Sequence, residues 1–239
     1  MERANKKVIC ALDTHDLDEA LGIAKKLVPY VGAFKIGHAL TLSHGLTVVD
    51  KLKDVGVERV FLDLKFHDIP NSVGLAVCEA ARHGVWMLTL HLAGGPAMIN
   101  AAVEESKDCE VQNRPLLIGV SVLTSLDQPA LSDYLGVQRT IEDQMTHLSR
   151  VGMDQGLDGV VCSQHELGPI RRVVGPSGII VTPGIRLPNT AGGDQKRFGD
   201  AMTALKGGAN YIVIGRALIH SADVVATLAQ FGLIDPAHA

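Results

Sequence analysis

Eight times along the 239 residues, a short apolar run rich in β-branched side chains is followed by a longer amphipathic one. That alternation marks strand, crossover helix and parallel strand, because two parallel neighbours can be joined only by a long crossover. The strand segments read as Val8–Asp13, Ala33–Gly37, Val60–Lys65, Met87–Leu92, Leu116–Val122, Gly159–Ser163, Ile179–Gly184 and Tyr211–Arg216. Among the helices, Asp16–Val28 places Leu17, Ala20, Leu21, Ala24 and Leu27 on one stripe, and Leu46–Val55 does the same with Val48, Val49, Leu52 and Val55. Eight such units most simply close into a single α/β domain over 1–239, a (β/α)8 TIM barrel of parallel strands. An open doubly wound sheet carries the same pattern and stands as the alternative.

Composition narrows the classes of function. With 46% hydrophobic and 20% charged residues the chain can bury a large core. Its 22 basic and 26 acidic side chains leave a formal charge of −4, so no global positive field draws nucleic acid or anionic lipid. No apolar run is long enough to span a membrane, and Met1–Lys7 leads straight into a strand without a signal peptide. Cys10, Cys78, Cys109 and Cys162 form no Cys-x-x-Cys pair and read as free, buried thiols of a cytoplasmic protein, with no metal site.

Local punctuation agrees with this organisation. Gly32, Gly56, Gly84, Gly175 and the Gly207-Gly208 pair follow helical stretches where a left-handed cap is expected. Ser163-Gln164-His165-Glu166 reads as a capping box. Two connections are long, Ser125–Arg139 after the fifth strand and Ile185–Asp194 after the seventh. Both leave the carboxyl ends of strands, where barrel enzymes build their sites, so residues 185–194 are a candidate closing loop, with surface decoration as the plainer reading.

The informative stretch is Phe61-Leu62-Asp63-Leu64-Lys65-Phe66-His67-Asp68-Ile69-Pro70. Alternate strand residues share a face, so Asp63 and Lys65 point together into the barrel while Leu62 and Leu64 point towards the helices. Interior charges survive only when paired, and an opposite charge at about 4 Å contributes about 4 kcal/mol at an effective dielectric near 20. Lys35 at the end of the second strand and Asp68 past the third are expected to complete a net-neutral Lys35, Asp63, Lys65, Asp68 array. A purely stabilising ion-pair network accounts for the same residues.

The last two strands end in Thr182-Pro183-Gly184-Ile185-Arg186 and Ile214-Gly215-Arg216. Glycine admits backbone N–H groups close to an anion and arginine adds a forked donor, so Arg186 and Arg216 together point to a phosphorylated substrate. Dinucleotide, Walker-type, zinc-protease and serine-hydrolase motifs are absent. His67 and His91 stand near the charged motif and read as supporting, hydrogen-bonded residues; His15, His44, His147 and His220 read as surface or loop positions.

Taken in order, Ala11-Leu12-Asp13, Phe34-Lys35-Ile36-Gly37, Asp63-x-Lys65-x-x-Asp68-Ile69-Pro70, Val122-Leu123-Thr124-Ser125, the two arginine-bearing ends and Gly193-Asp194-Gln195 resemble the bacterial branch of the orotidine 5′-phosphate decarboxylase family. The resemblance covers nearly the whole chain, although Asp-x-Lys-x-x-Asp alone is shared with sugar-phosphate lyases. It implies a carbon–carbon lyase that converts orotidine 5′-phosphate to UMP and CO2, the last step of de novo pyrimidine nucleotide synthesis, without metal or organic cofactor. Lys65 matches the proton donor to C6, Asp63 the group facing the departing carboxylate, and Lys35 completes the array. Asp68, accompanied by Ile69, matches the member of that array contributed by the other subunit of a homodimer with shared active sites, and Ser72 matches a substrate contact. Ser72 departs from the usual threonine, keeping the hydroxyl without the methyl. Asp13 matches a ribose contact, Thr124 a pyrimidine contact, and Pro183, Arg186, Gln195, Gly215 and Arg216 the phosphate and closing-loop contacts. The rivals are a magnesium-dependent sugar-phosphate enzyme, which would need an acidic ligand in place of Lys35, and a non-catalytic nucleotide sensor.

Overall fold

The computed structural model describes residues 5–109, 111–112, 114–187 and 199–234. The chain runs β1 (Val8–Leu12), α1 (Leu17–Leu27), β2 (Ala33–Ile36), α2 (His38–His44), α3 (Thr47–Asp54), β3 (Val60–Phe66), α4 (Pro70–Arg82), β4 (Met87–His91), α5 (Gly95–Asp108), β5 (Leu116–Val120), α6 (Ile141–Asp154), β6 (Gly159–Val161), α7 (Leu167–Val174), β7 (Ile179–Thr182), α8 (Ala201–Lys206), β8 (Tyr211–Ile214), α9 (Arg216–Ile219) and α10 (Val224–Gln230). Each strand pairs in parallel with the next and β8 returns to β1, so the sheet closes into a (β/α)8 TIM barrel and the open-sheet alternative falls. All eight expected strands are present. Most end one or two residues early, because Asp13, Gly37, Val122, Ser163, Gly184 and Arg216 stand above the last ladder bonds, at the mouth of the barrel.

Side-chain alternation builds two apolar layers. Val8, Cys10 and Leu12 face the helices, whereas Ile9 and Ala11 join Ala33, Phe61, Met87, Ile118, Val181 and Val213 inside the barrel. Helix α1 shows how the outer layer is held. Asp16 accepts the Glu19 N–H at its start, Lys25 and Lys26 sit in its last turn, and Ala20, Ala24 and Leu27 are buried at helical spacing.

Several local expectations are corrected. Gly56, Gly84, Gly175 and Gly208 have positive φ, but Gly32 and Gly207 do not. Gly32 is small for another reason, since a Cβ there would overlap the Lys6 carbonyl. Ser163 and Glu166 do not form a reciprocal capping box. They bracket a short turn in which the Ser163 hydroxyl bonds the Glu166 carboxylate and accepts the His165 N–H. Cys78 and Cys109 are not free thiols. Packing of α4 beside α5 brings these residues, 31 apart in sequence, to a Cα–Cα distance of 5.6 Å and they form a disulfide. Cys10 and Cys162 are buried and outside any disulfide, as expected. Among the described residues no helix is long and apolar enough to cross a membrane.

The rim opposite the strand ends is tied together by Arg171 of α7. Its guanidinium donates to the carbonyls of Gly175, Gly178 and Gly208 and to Asn210 Oδ1, which also accepts the Ile180 N–H. These bonds join the end of α7 to the starts of β7 and β8. Hydrogen bonds from a charged donor contribute about 1.5–3 kcal/mol each and are not additive. Arg171→Met is therefore expected to lower stability by about 3 kcal/mol, read as a reduced urea midpoint.

Candidate active site

The carboxyl ends of the strands open into a cavity of about 990 Å³. Its floor is the inward column of the first strands carried one step past the apolar layer. Asp13 follows Ala11, Lys35 follows Ala33, and Asp63 and Lys65 follow Phe61. The strand register sets Lys35 level with Ala11 and Phe61, so charges from neighbouring strands meet. Lys35 Nζ lies 3.0 Å from Asp13 Oδ1 and 3.8 Å from Asp63 Oδ2, and Lys65 Nζ donates to Asp63 Oδ1 at 2.9 Å. The result is a chain of alternating charge, Asp13, Lys35, Asp63, Lys65.

Asp63 is the more enclosed of its two carboxylates, with a side chain 17% exposed against 62% for Asp13. Burial pushes its carboxyl up, but the two ammoniums and hydrogen bonds from Lys65 and Thr89 outweigh burial and hold it below the ordinary value. The Thr89 hydroxyl donates to Asp63 Oδ1 at 3.0 Å and accepts the Lys65 N–H at 2.9 Å. Burial pushes the Cys10 thiol up to about 12, with a smaller push from Asp13, which leaves it a poor nucleophile despite its closeness to the site. His91 is lowered by burial, then by His67 and Lys65. It stacks on His67 with ring centroids 5.0 Å apart, and its Nδ1 accepts the Ala93 N–H, a supporting role.

Of the residues singled out in the sequence, Asp13, Lys35, Asp63, Lys65, Thr124, Pro183, Arg186, Gly215 and Arg216 all line this cavity. The arginines leave β7 and β8, and β7 lies across the closed barrel from β3, so two arginine-bearing strand ends share one cavity with the charged floor. Gln195 and most of 185–194 lie outside the described residues. Asp68 does not join the array within this chain. Its carboxylate is exposed and accepts the Ile69 N–H at 2.6 Å. Ile69 precedes Pro70, which forces it into an extended conformation, and the chain leaves the barrel before α4 begins. The second carboxylate of the array within this chain is Asp13, at the other end of the alternation beside Lys35. Ile69, 66% exposed, and Ser72, in the first turn of α4, are likewise outside the cavity.

Two residues escaped the sequence reading. His220, at the end of α9, lines the cavity although it reads as a loop residue. Thr89 is a polar residue at an inward position of β4, two residues from the apolar Met87, a signal open to reading but silent about its partner. As for metals, Asp13 and Asp63 are each engaged by a lysine ammonium, which repels a divalent cation. Among the described residues, Cys78, Glu105 and Cys109 are the group whose ligand atoms cluster, and the two sulfurs there are bonded to each other.

The lowered Asp63 carboxyl has a measurable consequence. Its contribution to stability is fully present above the ordinary 3.8 and is lost as pH falls through the lower native value. A ¹³C titration of the Asp63 carboxyl is expected to give a midpoint below 3.8, moving upward in Lys35→Met.

Comparison with known proteins matches residues 6–231 to the orotidine 5′-phosphate decarboxylase / HUMPS family. The orotidine 5′-phosphate decarboxylase of Moorella thermoacetica is 43% identical over 226 residues, 93% of this chain and 89% of that one. The protein of the same name from Dichelobacter nodosus is 44% identical over 216 residues, 90% of this chain and 93% of that one. The crystal structure of orotidine 5′-phosphate decarboxylase from Lactobacillus acidophilus superposes with a TM-score of 0.81 at 30% identity, covering 94% of this chain and 96% of that one. With a barrel of this topology, a charged floor of this composition and relatives of this similarity, the chain belongs to the orotidine 5′-phosphate decarboxylase / HUMPS family.

Proposed function

We propose that this chain is a carbon–carbon lyase that decarboxylates orotidine 5′-phosphate to UMP and CO2, the closing step of pyrimidine nucleotide synthesis. The observation that carries the reading is the Asp13, Lys35, Asp63, Lys65 chain at the floor of a cavity rimmed by Arg186 and Arg216. The substrate's C6 carboxylate lies beside Asp63. That side chain stays ionised, so a second carboxylate next to it is disfavoured and its loss as CO2 relieves the repulsion. The C6–carboxyl bond breaks with its electron pair left in the ring plane on C6, where no conjugated sink exists. The Lys65 ammonium, held against Asp63, stabilises that pair and then gives C6 a proton to form UMP, regaining its own from water. Lys35 keeps Asp63 charged and anchors Asp13, which receives the ribose hydroxyls.

Thr124 meets the pyrimidine, and Pro183, Arg186, Gln195, Gly215 and Arg216 gather the phosphate. Binding energy from that remote group closes residues 185–194 over the single barrel domain and orders the charges at the reacting carbon. No metal or organic cofactor takes part. Asp68 and Ile69 serve the other subunit of a homodimer with shared active sites, the exposure of both here supports that reading, and Ser72 supplies a substrate contact. The enzyme works in the cytoplasm, where its charged substrate is confined.

The wild-type protein is expected to convert orotidine 5′-phosphate to UMP in EDTA without added metal, followed by ultraviolet absorbance; an unchanged spectrum rejects the assignment. Mixing Asp68→Ala and Lys65→Ala chains, each inactive, is expected to restore part of the activity through hybrid sites. No recovery after demonstrated subunit exchange rejects the shared site.

A further inference from the structure

Thr89 holds two parts of the site at once. Strand β3 slips its register against β4 between Leu62 and Phe66, and inside that break Lys65 has φ of 51°, the only positive value for a non-glycine among the described residues. A left-handed conformation costs a side-chain-bearing residue about 1–2 kcal/mol, so neighbouring contacts must hold it. Here the Lys65 N–H donates to Thr89 Oγ1 at 2.9 Å. The hydroxyl has one proton, and it goes to Asp63 Oδ1 at 3.0 Å. Thr89 is 1% exposed, so water does not stand in for either bond. One buried oxygen thus couples the unusual backbone of Lys65 to the orientation of the carboxylate that its ammonium faces.

We propose that Thr89 is a positioning residue of the decarboxylation, locking the Lys65 turn and the Asp63 carboxylate in register so that ammonium and carboxylate are aimed before substrate arrives. The inference rests on the decarboxylase reading for its kinetic consequence but not for its structural one. Thr89→Val keeps the shape and removes both bonds; Thr89→Ser keeps both. Because misaiming Lys65 harms the transition state more than ground-state binding, Thr89→Val is expected to lower kcat about 100-fold with KM within about threefold, and Thr89→Ser to stay within about threefold of wild type. A second readout needs no turnover. The ¹³C titration midpoint of Asp63 is expected to rise in the Val variant and stay in the Ser variant. The charged and titratable groups that face that carboxylate are Lys35 on β2, Lys65 on β3 and Asp13 beyond β1, with the His91 and His67 pair near Lys65, and neither substitution removes any of them.

If wild type leaves orotidine 5′-phosphate untouched, the decarboxylase reading fails and the titration alone decides the role of Thr89. An active wild type alongside a Val variant with unchanged kcat and midpoint overturns the positioning role. So does a Ser variant that falls as far as Val. Should the Val chain not fold, Thr89→Cys, whose thiol is a weak donor, is expected to shift kcat and midpoint in the same directions, and wild-type values there overturn the proposal.

Discussion

The upper half of this barrel is organised around one buried carboxylate. Directly below it Phe61 fills the interior at 2% exposure, and one step up the same strand Asp63 sits where an unpaired charge would be neutralised. It remains ionised because Lys35 and Lys65 approach from two strands and Thr89 from a third. Each of those partners is committed in turn: Lys35 to Asp13, Lys65 to its left-handed turn, Thr89 to the Lys65 backbone. The site is therefore set by mutual constraint among four elements, and little reorganisation is left for the moment of reaction.

The two rims of the barrel carry different burdens. At the amino ends of the last strands, Arg171 spends its donors on backbone carbonyls and Asn210, which fixes α7, β7 and β8 together. At the carboxyl ends, Arg186 and Arg216 leave the same two strands and line the cavity. A stable lower rim permits the upper loops to be built for binding, which is the division of labour expected of this architecture.

Much of the site is legible in the chain because strand periodicity is local. Asp63 and Lys65 share a face in any strand, and Lys35, Arg186 and Arg216 stand at strand ends recognisable from their flanking apolar runs. Extending that phase past Phe66 fails for Asp68, since Ile69 before Pro70 redirects the chain, and the array's second carboxylate is Asp13, beside Lys35. Thr89 carries no comparable signal, because a hydroxyl announces no partner until its neighbouring strand is known. The Cys78–Cys109 bond is invisible for the same kind of reason: it depends on how α4 lies against α5.

By itself the amino-acid sequence determined the number and order of the strands, which side chains face inward, and the chemical types available at their ends. These follow from backbone repeats of two and about 3.6 residues and from hydrophobic burial, both properties of short segments. Only the tertiary structure decided that the sheet closes, that Lys35 stands between Asp13 and Asp63, and that Thr89 joins the Lys65 backbone to the Asp63 carboxylate. Those are relations between groups far apart in the chain. They are fixed by strand register and closure, which no short segment carries alone.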